Sequence, residues 1–255
     1  MHNAALRALG MEGWRYQLLP VPPERFDETV RALAPSGFVG ANVTIPHKHS
    51  ALTLADTASE AARAIGAANT LKLTSDGAIA AENTDAPGFL AALGVSPRGM
   101  SALVLGAGGS ARAVVWALLQ AGAREVSVWN RTSERASALA RELGARAVCR
   151  PASAELLVNC TSVGLEPEGA DLKQSATEPD GLNLLELTFD QVGTYSHVVD
   201  LVYRSSPTPL LAAARTHGAR IVDGLEVLLA QGALSFELWT GIEPPLQVMR
   251  DALRD

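Results

Sequence analysis

Two stretches of this chain carry residue types suited to holding a phosphate. Ser101 to Arg112 reads as a short apolar strand, a glycine turn and a helix start, with the spacing Gly106-x-Gly108-x-x-Ala111. In a turn of this kind Gly106 permits the tight reversal. Gly108 lets the backbone approach a pyrophosphate, and Ala111 lets the helix lie close to the strand. The free N–H groups at the helix start then face the phosphates. The next strand-like run, Glu125 to Trp129, ends in Asn130-Arg131-Thr132-Ser133-Glu134-Arg135. An NAD site carries Asp or Glu about 20 residues past the first glycine, where it holds the ribose 2′-OH. Here Asn130 and Arg131 stand there instead, with Arg135 one helical turn beyond. Two guanidiniums and an amide suit a 2′-phosphate, so the pattern points to NADP.

Four other stretches set polar residues among apolar ones: Asn42 to Lys48, Ala68-Asn69-Thr70, Glu82 to Gly88, and Asp200 to Tyr203. Each follows a strand-like run, and ligands of open α/β sheets bind beyond the carboxyl ends of strands. Taken singly, each has a plainer reading. Thr44, Thr84 and Asp85 are good helix N-caps, Lys48 alone is a solvated lysine, and Asp200 alone is a turn residue.

The elements that must position these residues alternate along the chain, which argues for an α/β fold. Helices are expected over 3–9, 22–34, 58–65, 85–93 and 111–120, and from Pro46. Strands are expected over 14–19, 37–43, 69–74 and 78–82. The last two flank Ser75-Asp76-Gly77, a hairpin signal. Thr84 or Asp85 is expected to cap the helix that follows. Punctuation at 94–100 separates this region from the glycine-turn unit. Later strands are expected over 146–148, 156–160, 198–202 and 220–222, and helices over 225–239 and 245–253. Residues 182–189 fit a short helix or a short strand.

Composition narrows the function. The chain has 255 residues, 47% hydrophobic and 19% charged, which suits one large or two modest domains. A net charge of −6, scattered basic residues and 5% aromatics argue against a nucleic-acid or anionic-membrane partner. Cys149 and Cys160 are too few for a disulfide framework or a metal site, and Cys160 reads as a buried small residue. His47 and His49 have no further ligand types near them and read as helix-surface residues. No signal peptide or membrane-length apolar run is present, and cytoplasm follows by default.

In this setting the chain resembles the shikimate dehydrogenase family. The carrying motifs are Asn42-Val43-Thr44-Ile45-Pro46-His47-Lys48, Gly66-Ala67-Ala68-Asn69-Thr70, Asn83-Thr84-Asp85-Ala86-Pro87-Gly88, Gly106-Ala107-Gly108-Gly109, Asn130-Arg131-Thr132, Asn159 to Gly164, Asp200-Leu201-Val202-Tyr203, and Asp223-Gly224-Leu225 followed by Gln231. They stand in family order over nearly the whole chain. The resemblance implies reduction of 3-dehydroshikimate to shikimate with NADPH, and Lys48 and Asp85 as the catalytic pair. It places Thr44, Asn69, Asp85, Tyr203 and Gln231 at the substrate. It places Gly106, Gly108, Gly109, Ser110 and Ala111 at the pyrophosphate turn, and Asn130, Arg131, Thr132 and Arg135 around the 2′-phosphate. Thr161 and Ser162 lie on the cofactor path and Gly224 lies near the nicotinamide. Chemically, hydride arriving at a ketone carbon leaves negative charge on oxygen. A protonated lysine there stabilises that charge and supplies the proton without a metal.

The resemblance also implies two α/β domains. The substrate domain takes residues 1–85 and 224–255, and a Rossmann-like NADP domain takes 86–223. A cleft is expected between them, closing on substrate. The implied partner is a small molecule, for a monomer or homodimer. Family members begin with a strand and a Ser-x-Ser-Pro stretch before Met-His-Asn, whereas this sequence starts at Met1-His2-Asn3. Either the internal methionine has been taken as the start, or the carboxylate grip of those serines is lost. Two competing readings follow: a quinate/shikimate dehydrogenase of relaxed specificity, and a non-catalytic NADP-binding relative.

Overall fold

The computed structural model describes residues 1–165, 180–204 and 206–254. The chain divides into two compact units, Met1–Phe89 with Leu229–Asp255, and Leu90–Leu228.

The first unit holds α1 (His2–Ala8), α2 (Phe26–Leu33), β1 (Gly40–Asn42), α3 (Lys48–Leu54), β2 (Thr57–Ala58), α4 (Glu60–Ile65), β3 (Thr70–Leu73), β4 (Ile79–Glu82) and the start of α5 (Asp85–Leu93). Its four-stranded sheet has the order β1-β3-β4-β2. β3 runs antiparallel to both of its neighbours, and β2 runs parallel to β4. The β3–β4 hairpin pairs Thr70 with Glu82, so both strands end beside the same short segments. Phe26, Val30 and Leu33 of α2 and Ala51 and Leu54 of α3 cover Leu71, Leu73, Ile79 and Ala81 of the sheet.

Two of the elements expected in this unit are not formed as expected. Residues 14–19 form no strand. Their alternation finds no partner backbone, since the N–H and carbonyl of Tyr16 are taken by the Asn3 side chain at 2.8 Å each. Leu18 is left 88% exposed. Pro46 does not open a helix either. It follows a cis Ile45–Pro46 bond in a turn, and α3 starts two residues later at Lys48.

The second unit holds β5 (Ser101–Leu105), α6 (Gly109–Gln120), β6 (Glu125–Trp129), α7 (Ser133–Leu143), β7 (Arg146–Ala147), β8 (Leu156–Asn159), α8 (Asp180–Leu184), α9 (Phe189–Val192), β9 (His197–Asp200), α10 (Pro209–Thr216) and β10 (Arg220–Val222). All neighbouring strands are parallel, in the order β10-β9-β8-β5-β6-β7. Burial on both faces explains their unbroken apolar runs: Leu103 to Leu105 and Leu156 to Val158 are fully buried. Chain order reverses between β5 and β8, which puts the ligand crevice of such a sheet beyond the carboxyl ends of these two strands.

Residues 182–189 contain helix rather than strand. Thr188 and Gln191 form a reciprocal capping box that starts α9. The polar stretch from Gly164 to Tyr195 lies outside the described residues over 166–179. Cys160 is half-buried rather than buried, and Cys149 is exposed. Two further helices close the chain, α11 (Gly224–Thr240) and α12 (Leu246–Arg254). The Trp239 indole of α11 donates to the Leu71 carbonyl of β3 at 2.9 Å, in space left by the missing side chain of Gly40.

Candidate active site

In the first unit the starts of two helices bring opposite charges together. Lys48 is the first residue of α3 and Asp85 the first of α5. Lys48 Nζ lies 2.6 Å from Asp85 Oδ2, with the side chains only 11% and 17% exposed. The other carboxylate oxygen of Asp85 is turned to Asn69, whose Nδ2 lies 2.8 Å away. Asn69 Nδ2 also reaches Thr84 Oγ1 at 2.9 Å and Gln231 Oε1 at 3.3 Å, while its Oδ1 accepts the Thr84 N–H at 2.7 Å. Lys48, Asn69, Asp85 and Gln231 therefore share one polar cluster. Gln231 reaches it because α5 and α11 touch at Gly88, where a Cβ would stand 2.7 Å from the Gln231 backbone.

The cluster depends on a cap that the sequence hides. Asn83, not Thr84 or Asp85, closes the start of α5. Its Oδ1 accepts the Ala86 N–H at 3.1 Å and its Nδ2 donates to the Ala67 carbonyl at 2.9 Å. Thr84 and Asp85 keep their oxygens for the cluster. Thr44 lies apart from these bonds, exposed on the turn after β1, where its carbonyl accepts the His47 N–H at 2.9 Å. His47 is fixed rather than loose on the surface: its Nε2 lies 2.8 Å from the Val21 carbonyl and its ring stacks on Phe26.

In the second unit Gly106 has φ +111°, and a Cβ there would press on the Cys160 carbonyl at 3.0 Å. Both the turn and the close approach call for glycine. Gly108 differs. It precedes α6 in extended conformation, and a Cβ there would meet no protein atom within 4 Å. The protein's own packing does not require glycine at that point. Gly109 and Ser110 begin α6, whose first N–H groups have no helical partner, and Ala111 is fully buried. Past β6, Asn130 Nδ2 donates to the Thr132 carbonyl at 2.9 Å. Arg131 and Arg135 are exposed, and neither makes an ion pair among the described residues. These residues fit a dinucleotide with a 2′-phosphate: bare backbone for the diphosphate and two available guanidiniums for the extra charge.

Thr161 and Ser162 follow β8, and Tyr203 follows β9 with 53% of its surface exposed. Gly224 is buried, and a Cβ on it would stand 2.6 Å from the Val202 backbone. Thr208 escapes the sequence reading, and Asn159 and Asp200 enter it only as motif members or a turn residue; all three are essentially inaccessible. Burial pushes the Asp200 carboxyl up to about 6, against hydrogen bonds from Thr208, the Val202 N–H and Asn159 that favour the charged form. The available signal was a polar residue at the end of each of two adjacent apolar strands.

A parallel α/β sheet with a dinucleotide turn in the second unit, together with a lysine–carboxylate pair in the first, defines a nicotinamide-dependent oxidoreductase. The comparisons narrow that class. Residues 1–71 match the family model for the shikimate dehydrogenase substrate binding domain, 92–160 that for shikimate / quinate 5-dehydrogenase, and 224–254 that for the shikimate 5'-dehydrogenase C-terminal domain. Shikimate dehydrogenase (NADP(+)) of Methanopyrus kandleri is 43% identical over 271 residues, covering 99% of this chain and 89% of that protein. Among solved structures, shikimate 5-dehydrogenase of Thermus thermophilus in complex with NADP(H) and shikimate is 41% identical, with a TM-score of 0.85 over 99% of this chain and 92% of that one. A 5-ketofructose reductase of Gluconobacter is 30% identical, with a TM-score of 0.80 over 99% of this chain and 91% of that one. The chain belongs to the shikimate dehydrogenase family.

Proposed function

We propose that this chain catalyses the reversible reduction of 3-dehydroshikimate to shikimate with NADPH, with Lys48 and Asp85 as the catalytic pair. The observation that carries the assignment of roles is the 2.6 Å Lys48–Asp85 contact inside a cluster of neutral hydrogen-bonding side chains. NADPH supplies the hydride. Lys48 Nζ, held at Asp85, stabilises the negative charge on the substrate oxygen and gives it a proton. In the reverse direction the pair accepts the hydroxyl proton. Asn69 and Gln231 offer amide donors and acceptors to ring hydroxyls, and Asp85 offers a charged acceptor. Thr44 and Tyr203 complete the substrate contacts. In the second unit Gly106, Gly108, Gly109, Ser110 and Ala111 form the turn for the diphosphate. Asn130, Arg131, Thr132 and Arg135 hold the 2′-phosphate, Thr161 and Ser162 line the cofactor, and Gly224 stands by the nicotinamide.

Residues 1–85 and 224–255 serve the substrate and residues 86–223 serve the cofactor. Among the described residues no helix is long and apolar enough to cross a membrane. The same reading puts the enzyme in the cytoplasm, as a monomer or homodimer. The test is the purified protein with NADP and shikimate, followed at the nicotinamide absorbance band. NADP-linked oxidation of shikimate well above that of quinate, and above NAD-linked oxidation, is expected. Comparable quinate turnover assigns relaxed specificity, and NADP binding without turnover assigns a non-catalytic protein.

A further inference from the structure

We infer that Asp200 is a positioning residue that fixes the loops around the cofactor site, an inference that rests on the NADP reading of the second unit. Asn159 and Asp200 are paired across the last rung of β8 and β9. Beyond that rung the ladder ends with the Leu201 N–H on the Asn159 carbonyl at 2.9 Å and the Cys160 N–H on the Leu105 carbonyl at 2.8 Å, and both strands turn into loops. Asp200 supplies partners there. Its Oδ1 accepts from Asn159 Nδ2 at 2.9 Å and from the Val202 N–H at 3.0 Å. Its Oδ2 accepts from Thr208 Oγ1 at 2.6 Å, and Thr208 Oγ1 in turn accepts the Leu211 N–H at 3.2 Å to cap α10.

The same set of bonds reaches the other loop. Asn159 Oδ1 accepts the Thr161 N–H at 3.0 Å and the Thr161 hydroxyl at 2.8 Å, and that hydroxyl accepts the Val163 N–H at 3.1 Å. The Thr161 hydroxyl is thus spent inside its own loop. Its contribution to a ligand is the placement of backbone and of Ser162. Two glycines lean on the same loops. Gly106 lies against Cys160 and Thr161, and Gly224 against Leu201 and Val202, each too close to admit a Cβ without displacement. Three segments assigned to the cofactor, the Gly106 turn, Thr161–Ser162 and Gly224, and the loop that carries Tyr203 therefore rest, directly or through Asn159 and Val202, on one carboxylate with no direct access to solvent. A carboxylate can accept three neutral donors at once, which neither an amide nor a hydroxyl does. Buried and saturated, such a network fixes a single arrangement.

The experiment reads NADPH binding by nucleotide fluorescence, without turnover, in the 255-residue chain. Binding by the unaltered protein is read first, and if there is none the cofactor reading and this inference both fall. Asp200→Ala strands three donors and is expected to weaken NADPH about tenfold, the scale of disrupting a shared network. Asp200→Asn keeps an oxygen for Asn159 and Val202 and is expected to recover most of that loss. Thr208→Val, which leaves Asp200 in place, is expected to weaken NADPH by a smaller factor, and Thr208→Ser to restore it. KM for shikimate at saturating NADP should rise by a clearly smaller factor than the NADPH Kd throughout, because of the substrate residues only Tyr203 lies on these loops. The inference is overturned, with the cofactor reading intact, if Asp200→Ala binds NADPH as the unaltered protein does. It is also overturned if Asn recovers nothing or if KM for shikimate rises as much as the NADPH Kd.

Discussion

Asp85 in the first unit and Asp200 in the second are both largely removed from water, yet they keep opposite company. Asp85 holds a lysine at 2.6 Å and shares its second oxygen with an amide. Asp200 has no cation among its hydrogen-bond partners, only a hydroxyl, an amide and a backbone N–H. The lysine beside Asp85 can accept, hold and release a proton as charge appears on a substrate. The neutral donors around Asp200 have nothing to exchange and act by fixing geometry. A buried carboxylate at the end of a strand is therefore not by itself a catalytic group; its partners decide.

The largest effect that would break this contrast is on turnover. Lys48→Ala should cut kcat by ~100- to 10,000-fold, the range for removing a general acid/base. NADPH binding and the folded spectrum should be retained, because Lys48 belongs to the first unit and its loss leaves Asp85 with the Asn69 contact. Steady-state kinetics and fluorescence titration on the same preparation check both. Near-normal kcat would reduce the pair to a structural salt bridge.

The two units should also answer acid in opposite senses. His2 in the first unit is held down to about 4, chiefly by burial and then by the nearby N-terminal ammonium. Between about 4 and 6.5 the unfolded chain binds the proton and the native one does not. Stability supplied by neutral His2 is lost as pH falls through that window, by up to about 3 kcal/mol. Asp200 is raised to about 6, so between the ordinary carboxylate value and 6 the native state binds the proton and the unfolded one does not. Its ionisation costs stability as pH rises through that window, by a similar amount, about 3 kcal/mol. Urea unfolding at pH 7.5, 5.5 and 4.5 checks the signs. Against the unaltered protein, His2→Asn should gain relative stability as pH falls and Asp200→Asn should lose it. Parallel pH curves for all three proteins would refute both assignments.

The same contrast explains what could be read from the sequence. The glycine turn and the joint placing of Lys48 and Asp85 are legible because they lie in local patterns or in motifs of fixed order. The α/β alternation was legible because strands buried on both faces leave unbroken apolar runs. The Trp14 to Leu19 alternation misled because a strand needs a neighbour, and no residue within the segment reports that Asn3 occupies the Tyr16 backbone. Asn83 and Thr84 are adjacent polar residues that cap equally well in isolation; only the fold shows that Asn69 claims Thr84. Asp200 was visible as a motif member, but its burial arises from pairing across β8 and β9, residues far apart in the chain.

A smaller effect sharpens the cofactor side. Arg131→Asp places a negative charge where the 2′-phosphate is to sit. The lost charged hydrogen bond and the added repulsion should weaken NADP about 10- to 100-fold while sparing NAD. Titration with both nucleotides checks it. Equal NADP and NAD affinities in the unaltered protein would remove the assignment of Asn130, Arg131, Thr132 and Arg135.

The smallest expected effect separates capping from catalysis, and here the units differ again. In the second unit one residue does both jobs, since Thr208 caps α10 and ties Asp200. In the first unit the jobs are split between neighbours: Asn83 caps α5, and Thr84 bonds Asn69 and Thr70. Asn83→Ala should therefore cost about 1 kcal/mol of stability, the usual worth of a cap, with a further contribution from the stranded Ala67 carbonyl. KM for shikimate should barely change, because Asp85 keeps both its partners. Thr84→Ala should do the reverse. It leaves the Ala86 N–H capped and the residue 84 N–H on Asn69 Oδ1, but removes the hydroxyl shared by Asn69 Nδ2 and Thr70, so KM should rise by about two- to fivefold with little loss of stability, the scale of one neutral hydrogen bond. Denaturant unfolding and substrate kinetics on the two variants decide the matter. If Thr84→Ala destabilises the fold as much as Asn83→Ala and leaves KM alone, Thr84 is the cap after all, and the orientation of Asn69 beside Lys48 and Asp85 must come from the residue 84 N–H and Gln231.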